Sequence, residues 1–184
     1  MLPSKPETRS AAARRNRDNS VDPEGEFPLG APEYFFYLVF QTARQRDLQF
    51  DRILKPAGLT VALWRSLAII RRLDGCTMSQ LARYSTVERT TLSRAVDQLV
   101  MRGFIQRSVP GHDRRQVILA LTDLGEETYI RAVAILKEFN AGLLADVEHE
   151  RLRDVTRVLQ HALRKITGDD ALATDLLTFG RAPG

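Results

Sequence analysis

Residues 77–122 constrain the fold more than any other part of this chain. They contain two short helical patterns in succession, TMSQLARYS and STVERTTLSRAVDQLVMRGF, followed by the segment FIQRSVPGHDRRQVILALT. In that last segment apolar residues alternate with a period of two and Pro110-Gly111 can form a turn, which predicts a β-hairpin. Two helices followed by a hairpin with a basic tip are typical of proteins that bind duplex DNA.

Capping signals predict where the two helices begin. Thr77 is followed three residues later by Gln80, the spacing of a capping box at a helix N-terminus. Ser85 and Glu88 repeat this spacing, so we expect a second capping box at the start of the next helix, which ends at Gly103. The two helices should therefore be separated by a tight turn.

Longer helices are predicted on both sides of this motif. The first begins at Pro32 and ends before Pro56, and Thr60 caps a second helix. After the hairpin, Thr122 caps a long helix. A last helix carries apolar residues at alternating spacings of three and four, which predicts a seam that packs on a partner helix. These residues are Leu152, Val155, Leu159, Ala162 and Ile166.

The positive charge is concentrated on the helix-helix-hairpin segment. The whole chain of 184 residues has a formal net charge of +4, whereas residues 60–121 carry +6 and residues 122–184 carry −3. A basic surface of this kind is expected where a protein meets phosphates. There is no signal-peptide core and no run of eighteen apolar residues, so we expect a cytoplasmic protein without a membrane partner.

These segments resemble the MarR (multiple-antibiotic-resistance regulator) family of winged helix-turn-helix transcriptional regulators. The resemblance covers about residues 33–166 and rests on LTVALWRSL, MSQLARYSTVERTTLSRAVDQLVMRGFI and GHDRRQVILALTDLGEE, in that order. It implies a homodimer in which the first and last helices of both chains interlock. It also implies repression of a promoter until a small phenolic, aromatic or acyl-CoA ligand, or an oxidant, loosens DNA binding.

The expected fold class is therefore mainly α, a winged helix-turn-helix domain with a two-stranded wing and flanking helices that form a dimerisation region. Residues 1–31 are predicted to be a flexible N-terminal arm, and residues 168–184 a loose C-terminal tail. Residues 59–122 correspond to the winged helix domain. Residues 32–58 and 123–167 correspond to the helical dimerisation region.

The first two turns of the recognition helix hold the candidate DNA contacts. Short hydroxyl side chains allow a helix to approach the bases closely, and arginine can contact guanine or phosphate. Arg94 fits a phosphate contact, since family members often have a basic residue at this position. The alternative is that all of these are ordinary solvated helix residues. The candidates are Arg89, Thr90, Thr91, Ser93 and Arg94.

The predicted wing tip contains Asp113-Arg114-Arg115, which matches an Asp-x-Arg element of the family. The resemblance implies that Arg115 enters the minor groove, where a narrow A·T-rich stretch concentrates negative potential. Asp113 would orient it, and His112 and Arg114 would lie near phosphates. The alternative is a charged hairpin tip without a partner.

Aromatic residues of the first two predicted helices are candidates for a ligand pocket, because relatives often bind aromatic effectors there. They are Phe36, Tyr37, Phe40 and Trp64, and each of them could equally be an ordinary core residue. Arg44 and Arg46 could bind a carboxylate or a CoA phosphate at the pocket mouth. They could equally pair with Asp47 or Asp51.

The leading hypothesis is a homodimeric, ligand-responsive repressor that binds a pseudo-palindromic operator in double-stranded DNA. One alternative is a winged helix used for protein–protein contacts, and another is an oxidant-responsive regulator that uses Cys76. Neither His149 nor His161 belongs to a Cys/His cluster, so no metal or other cofactor is expected. The sequence contains no GxSxG or HExxH motif, which disfavours an enzyme.

Overall fold

The computed structural model describes residues 30–109 and 116–180. The chain forms two compact units, residues 1–43 and 44–184, and the described part of the first is the N-terminal half of helix α1. The element order confirms the predicted winged helix-turn-helix with a two-stranded wing. In chain order the elements are α1 (Ala31–Leu54), a 3₁₀ turn (Lys55–Ala57), α2 (Val61–Arg72), α3 (Met78–Tyr84), α4 (Arg89–Met101), β1 (Ile105–Ser108), β2 (Ile118–Leu121), α5 (Asp123–Leu143), α6 (His149–Thr167) and α7 (Asp170–Phe179).

The core of the second unit is formed where α2 packs against α4, α5 and β2. Leu67 and Ile70 on α2 are fully buried, as are Leu92, Val96 and Leu99 on α4. Each such side chain stabilises the fold by about 1.5–3 kcal/mol relative to an exposed position. The buried stripe of α4 therefore fixes which side of this helix faces outward.

Three predicted N-caps are confirmed. The Thr60 hydroxyl accepts a hydrogen bond from the Leu63 amide, and the Thr122 hydroxyl accepts one from Gly125. At α3, the Thr77 hydroxyl accepts from the Gln80 amide, and the Gln80 side chain accepts from the Thr77 amide in return. These local interactions set the start of α2, α5 and α3.

The prediction of a second capping box at Ser85 is wrong. Ser85 is the C-cap of α3, because its amide donates to the Leu81 carbonyl over 3.1 Å. Its hydroxyl accepts from the Val87 amide over 3.0 Å and closes the turn. Glu88 is the N-cap of α4 instead, so the recognition helix begins at Arg89.

The wing is an antiparallel pair in which Ile105 lies opposite Leu121 and Ser108 lies opposite Ile118. The loop before α3 also joins this sheet. The Cys76 amide donates to the Leu119 carbonyl over 2.9 Å, and the Leu119 amide donates to the Cys76 carbonyl over 2.8 Å. Strand β2 is consequently hydrogen-bonded on both sides.

The prediction of a loose tail from Gly168 is also wrong for most of that segment. Asp170–Phe179 forms helix α7, capped by Asp169, whose carboxylate accepts from the Ala171 and Leu172 amides over 2.8 and 3.0 Å. Ala173 in this helix is fully buried. The helix packs on α6, and Asp175 and Phe179 also join it to α3, far away in sequence.

Helix α6 has no buried residue, although one of its sides is apolar. Leu152, Val155, Leu159 and Ile166 from the predicted seam are all exposed in the single chain.

Within residues 30–109 and 116–180, no single helix is long and apolar enough to cross a membrane, although Ala31–Ala57 and Val61–Arg72 together would meet that test.

Several predictions lie outside the described residues. They concern the flexible arm up to residue 29, the turn at Pro110-Gly111 and the last four residues of the tail. The wing-tip candidates His112, Asp113, Arg114 and Arg115 also lie outside them.

Candidate nucleic-acid interface

Helix α4 presents a polar, partly basic side to the solvent. Its other side is held in the core by Leu92, Val96 and Leu99. Because these residues repeat at helical spacing, the remaining positions must point away from the core. All five candidates on this helix are exposed, namely Arg89, Thr90, Thr91, Ser93 and Arg94.

The N-terminus of α4 is occupied by the carboxylate of Glu88. This group accepts hydrogen bonds from the Thr90 and Thr91 amides over 2.9 and 3.2 Å, and from the Thr90 hydroxyl over 3.0 Å. The hydrogen bond from the Thr90 amide is the main cause that lowers the pKa of Glu88, followed by the one from Thr91. Glu88 is therefore ionised at neutral pH, and the Thr90 hydroxyl already has a partner.

The two arginines at the start of α4 are not committed to an acidic neighbour. Within the described ranges, neither Arg89 nor Arg94 forms an ion pair. Arg94 lies close enough to Glu88 for its charge to lower the pKa of that carboxyl. Both guanidinium groups can therefore bind an incoming anion without first breaking a salt bridge.

An ion pair that the sequence does not predict joins the wing to the recognition helix. Arg107 on β1 donates to Asp97 on α4 over 2.6 Å. Asp97 lies three residues after Arg94 and thus on the same outward side of α4. The only sequence signal was an acidic residue on an otherwise basic helix side, which does not identify its partner on a strand.

The strands lead into the predicted wing tip. β1 ends at Ser108 and β2 begins at Ile118, so residues 109–117 connect them. The antiparallel register and the Arg107–Asp97 pair fix the first strand beside α4. The predicted groove reader Arg115 and its orienting residue Asp113 belong to this connection.

The aromatic candidates on α1 are exposed in the single chain. Phe36 and Phe40 are 41% and 63% exposed, and Tyr37 is also exposed. Tyr37 stacks on Tyr34 at a centroid distance of 6.2 Å. Their roles in ligand binding stay predictions.

The other ligand candidates have partners within the chain. Trp64 stacks on Tyr129 of α5 at 5.3 Å. The Arg46 guanidinium lies 4.1 Å above the Phe50 ring and donates to the Asn140 side chain over 3.3 Å. Burial lowers the pKa of Arg46. Arg44 is exposed.

The carboxylates that were considered as partners of these arginines bind elsewhere. Asp47 forms a salt bridge of 2.8 Å with Arg65 on α2. Asp51 accepts a hydrogen bond from the Val61 amide over 2.7 Å at the start of α2. Both contacts join α1 to α2 and contribute to the placement of the second helix.

Cys76 is buried beside strand β2 of the wing. Its side chain is 1% exposed, and burial raises the pKa of the thiol to about 11. The thiolate is the reactive form of cysteine, and it is scarce at neutral pH when the pKa is raised in this way. This environment disfavours Cys76 as an oxidant sensor.

The described geometry is that of a winged helix, and the comparison with protein families agrees with it. The model of the MarR family matches residues 59–117, which include α2, α3, α4 and β1. The chain is thus similar to the MarR family over its winged-helix segment. Members of this family are transcriptional regulators and not enzymes.

Individual proteins are similar to this chain in sequence or in fold. The HTH-type transcriptional regulator BilQ of Clostridium symbiosum is 28% identical over 107 residues, which are 58% of this chain and 74% of the relative. A mutant MarR from E. coli complexed with operator DNA has a TM-score of 0.66 at 20% identity. The superposition covers 75% of this chain and 99% of the MarR chain. An organohalide-sensing regulator in its 2,4-dichlorophenol-bound form has a TM-score of 0.67 at 19% identity. The superposition covers 80% of this chain and 89% of that regulator.

Proposed function

We propose that this chain is a homodimeric MarR-type repressor that binds a pseudo-palindromic operator and is released by a small aromatic or acyl-CoA-like ligand. The observation that carries the proposal is the outward side of α4. There, two arginines without an acidic partner among the described residues stand beside short hydroxyl side chains, above a buried apolar stripe that holds the helix rigidly. A rigid helix of this kind can enter a major groove.

Arg94 and Arg89 are proposed to make the charged contacts to DNA. Arg94 lies one turn from the helix start, where a side chain can bind a backbone phosphate. Thr91 and Ser93 are short, so they permit the helix backbone to approach the base edges. Thr90 is a weaker candidate, because its hydroxyl donates to Glu88.

The wing is proposed to bind the adjacent minor groove. The Arg107–Asp97 ion pair supports this, since it holds β1, the strand that leads into the wing tip, beside α4. Arg115 would enter the groove with Asp113 as its orienting partner. His112 and Arg114 would contact neighbouring phosphates.

A second copy of the chain is the proposed partner of α6. The apolar side of this helix is exposed in the single chain, and no residue of the helix is buried. Exposed apolar residues at helical spacing are typical of an interface between helices. The first half of α1 also exposes large apolar side chains, including Phe36 and Phe40. A homodimer would present two copies of α4 to two operator half-sites.

The ligand is proposed to be aromatic because a structural relative binds 2,4-dichlorophenol. Trp64 and Tyr129 form a stacked pair that could extend to a further ring. Phe36, Tyr37 and Phe40 remain candidates on α1, with Arg44 and Arg46 for an anionic group. A ligand of this kind would release the operator only through a higher affinity for the DNA-free arrangement.

The proposal is tested by measuring the affinity of the full chain for a duplex recovered by in vitro selection, at several salt concentrations. Removal of Arg94 in Arg94→Ala should weaken binding about tenfold, and the slope of log affinity against log salt should fall by about 1. Lys137→Ala is the control, because this exposed residue on α5 carries the same charge. Equal behaviour of the two variants would contradict the proposed role of α4.

The same titration separates DNA binding from a winged helix used for protein contacts. Binding to duplex DNA releases counterions, so affinity must fall steeply as salt rises. A chain that selects no duplex, or whose binding is insensitive to salt, would favour the protein-contact alternative. An oxidant-responsive regulator is disfavoured by the burial of Cys76 and by the raised pKa of its thiol.

A further inference from the structure

The last helix, α7, packs against α3, the first helix of the helix-turn-helix motif. Asp175 on α7 accepts hydrogen bonds from the Arg83 guanidinium over 2.9 Å and from the Tyr84 hydroxyl over 2.9 Å. The Tyr84 ring stacks on Phe179 with a centroid distance of 3.9 Å and an interplanar angle of 10°. One polar contact and one aromatic contact therefore join the same two helices.

Helix α3 is too short to be stable by itself. It has seven residues, and helices below about 12–15 residues are marginal in isolation. Leu81 is its fully buried side chain, and Met78, Ala82 and Tyr84 are partly buried against the core. The contacts of Arg83 and Tyr84 with α7 hold the C-terminal end of α3 in addition to these core contacts.

The other side of α7 is fastened to α6. Gly168 ends α6 in the left-handed conformation with φ 63°, and Asp169 immediately caps α7. The Arg164 guanidinium donates to the Thr174 hydroxyl over 3.3 Å, and Ala173 is buried. Helix α7 thus has a fixed position between α6 and α3.

We propose that α7 positions the helix-turn-helix for operator recognition, with Asp175 and Phe179 as the positioning residues that act through α3 on α4. This inference rests on the proposed function, because it assumes that α4 reads DNA. The connection is direct, since α3 and α4 are separated only by the short turn that Ser85 and Glu88 close.

A purely electrostatic role and a positioning role of Asp175 predict opposite effects of its removal on DNA binding. If this carboxylate acted only through its charge, its removal would strengthen DNA binding, since acidic groups repel phosphates. Its removal would also free Arg83 to bind DNA. The positioning role predicts weaker operator binding instead. The sign of the change therefore distinguishes the two.

The experiment measures binding of the full chain to two duplexes by fluorescence anisotropy. One duplex is recovered by in vitro selection with the unaltered protein, and the other has the same composition in shuffled order. Asp175→Ala removes the hydrogen-bond acceptor, and Tyr84→Phe removes the hydroxyl but keeps the ring. Asp170→Ala is the matched control, because it removes the same charge from an exposed position in the first turn of α7.

Asp175→Ala should weaken binding to the selected duplex about fivefold and leave binding to the shuffled duplex unchanged. Tyr84→Phe should act in the same direction, and the double variant should be no weaker than Asp175→Ala, because both changes break one contact. Asp170→Ala should bind as well as the unaltered protein or better. If Asp175→Ala binds the selected duplex as tightly as Asp170→Ala does, the positioning role is overturned.

Amide hydrogen exchange without DNA tests the hold of α7 on α3 separately. Asp175→Ala should accelerate exchange in residues 78–84 about tenfold and leave α5 unchanged, since only the contact with α7 is lost. If the unaltered protein selects no duplex, the proposed function fails, and the exchange still decides whether α7 orders α3. Unchanged exchange in α3 would overturn the inference even if the protein binds DNA.

Discussion

Replacement of Gly125 by alanine should destabilise the protein, although alanine ordinarily favours a helix. Gly125 lies in the first turn of α5, and an added Cβ would stand 1.9 Å from the Phe104 carbonyl oxygen and 2.9 Å from its carbon. Backbone atoms cannot rotate away as the end of a long side chain can. The Phe104 carbonyl would have to move by about 1.1 Å to restore a separation of 3.0 Å.

The net cost follows from three contributions. Helix propensity favours alanine over glycine by about 1 kcal/mol. Overpacking of this kind costs about 1–3 kcal/mol. The displaced Phe104 carbonyl also accepts from the Thr122 amide over 3.1 Å, a hydrogen bond that contributes about 1 kcal/mol. We expect a net loss of about 2 kcal/mol, which for a chain of this size lowers Tm by about 4–8 °C.

The assay is thermal unfolding followed by far-UV circular dichroism, with Gly142→Ala as the control. Gly142 is in the same helix, and an added Cβ there would meet nothing within 4 Å. This control should unfold at the same temperature as the unaltered protein or slightly higher, because only helix propensity changes. A Gly125→Ala variant as stable as Gly142→Ala would refute the close approach of α5 to Phe104.

Three further outcomes are expected. At neutral pH a maleimide should label Cys76 only after denaturant is added, since burial raises the pKa of this thiol to about 11; rapid labelling of the folded protein would contradict this. Because the folded-state pKa of Glu88 is lowered, its contribution to stability is present above the usual glutamate pKa of about 4.3 and is lost as pH falls through the folded value. Glu88→Gln should therefore lower Tm at pH 5–8, and the difference should shrink in acid; a constant difference would exclude an ionised cap. Leu159→Lys on the exposed apolar side of α6 should give monomers in analytical ultracentrifugation, whereas His161→Lys, which adds the same charge to the same helix, should not; a dimer that survives Leu159→Lys would exclude this interface.

The sequence predicts the helices and the hairpin well because their signals are local. Thr60, Thr77 and Thr122 each cap a helix by accepting a hydrogen bond from the amide three residues later, so their roles can be read from spacing. The period-two pattern before Thr122 likewise predicts β2. Ser85 misled the prediction because its spacing to Glu88 fits a capping box, whereas the chain uses both residues in a turn.

The features that the sequence did not predict depend on distant contacts. Asp175 of helix α7 binds Tyr84 and Arg83, which precede it by more than ninety positions. The pair between Asp97 and Arg107 depends on how β1 lies against α4. No local pattern specifies either arrangement, because each requires the packed core first.

Leu119 pairs with both β1 and the Cys76 loop, so the wing has two parts that differ in how freely their residues can change during evolution. One is the sheet around Leu119, and the other is the connection between the strands. Leu119 and Cys76 are buried, and their hydrogen bonds tie the sheet to the loop that precedes α3. A substitution at either position would therefore disturb folding together with DNA binding. Of the connection between the strands, the described residues Val109 and Val117 are exposed. Related regulators could therefore acquire new operator preferences through this connection while the supporting scaffold stays intact.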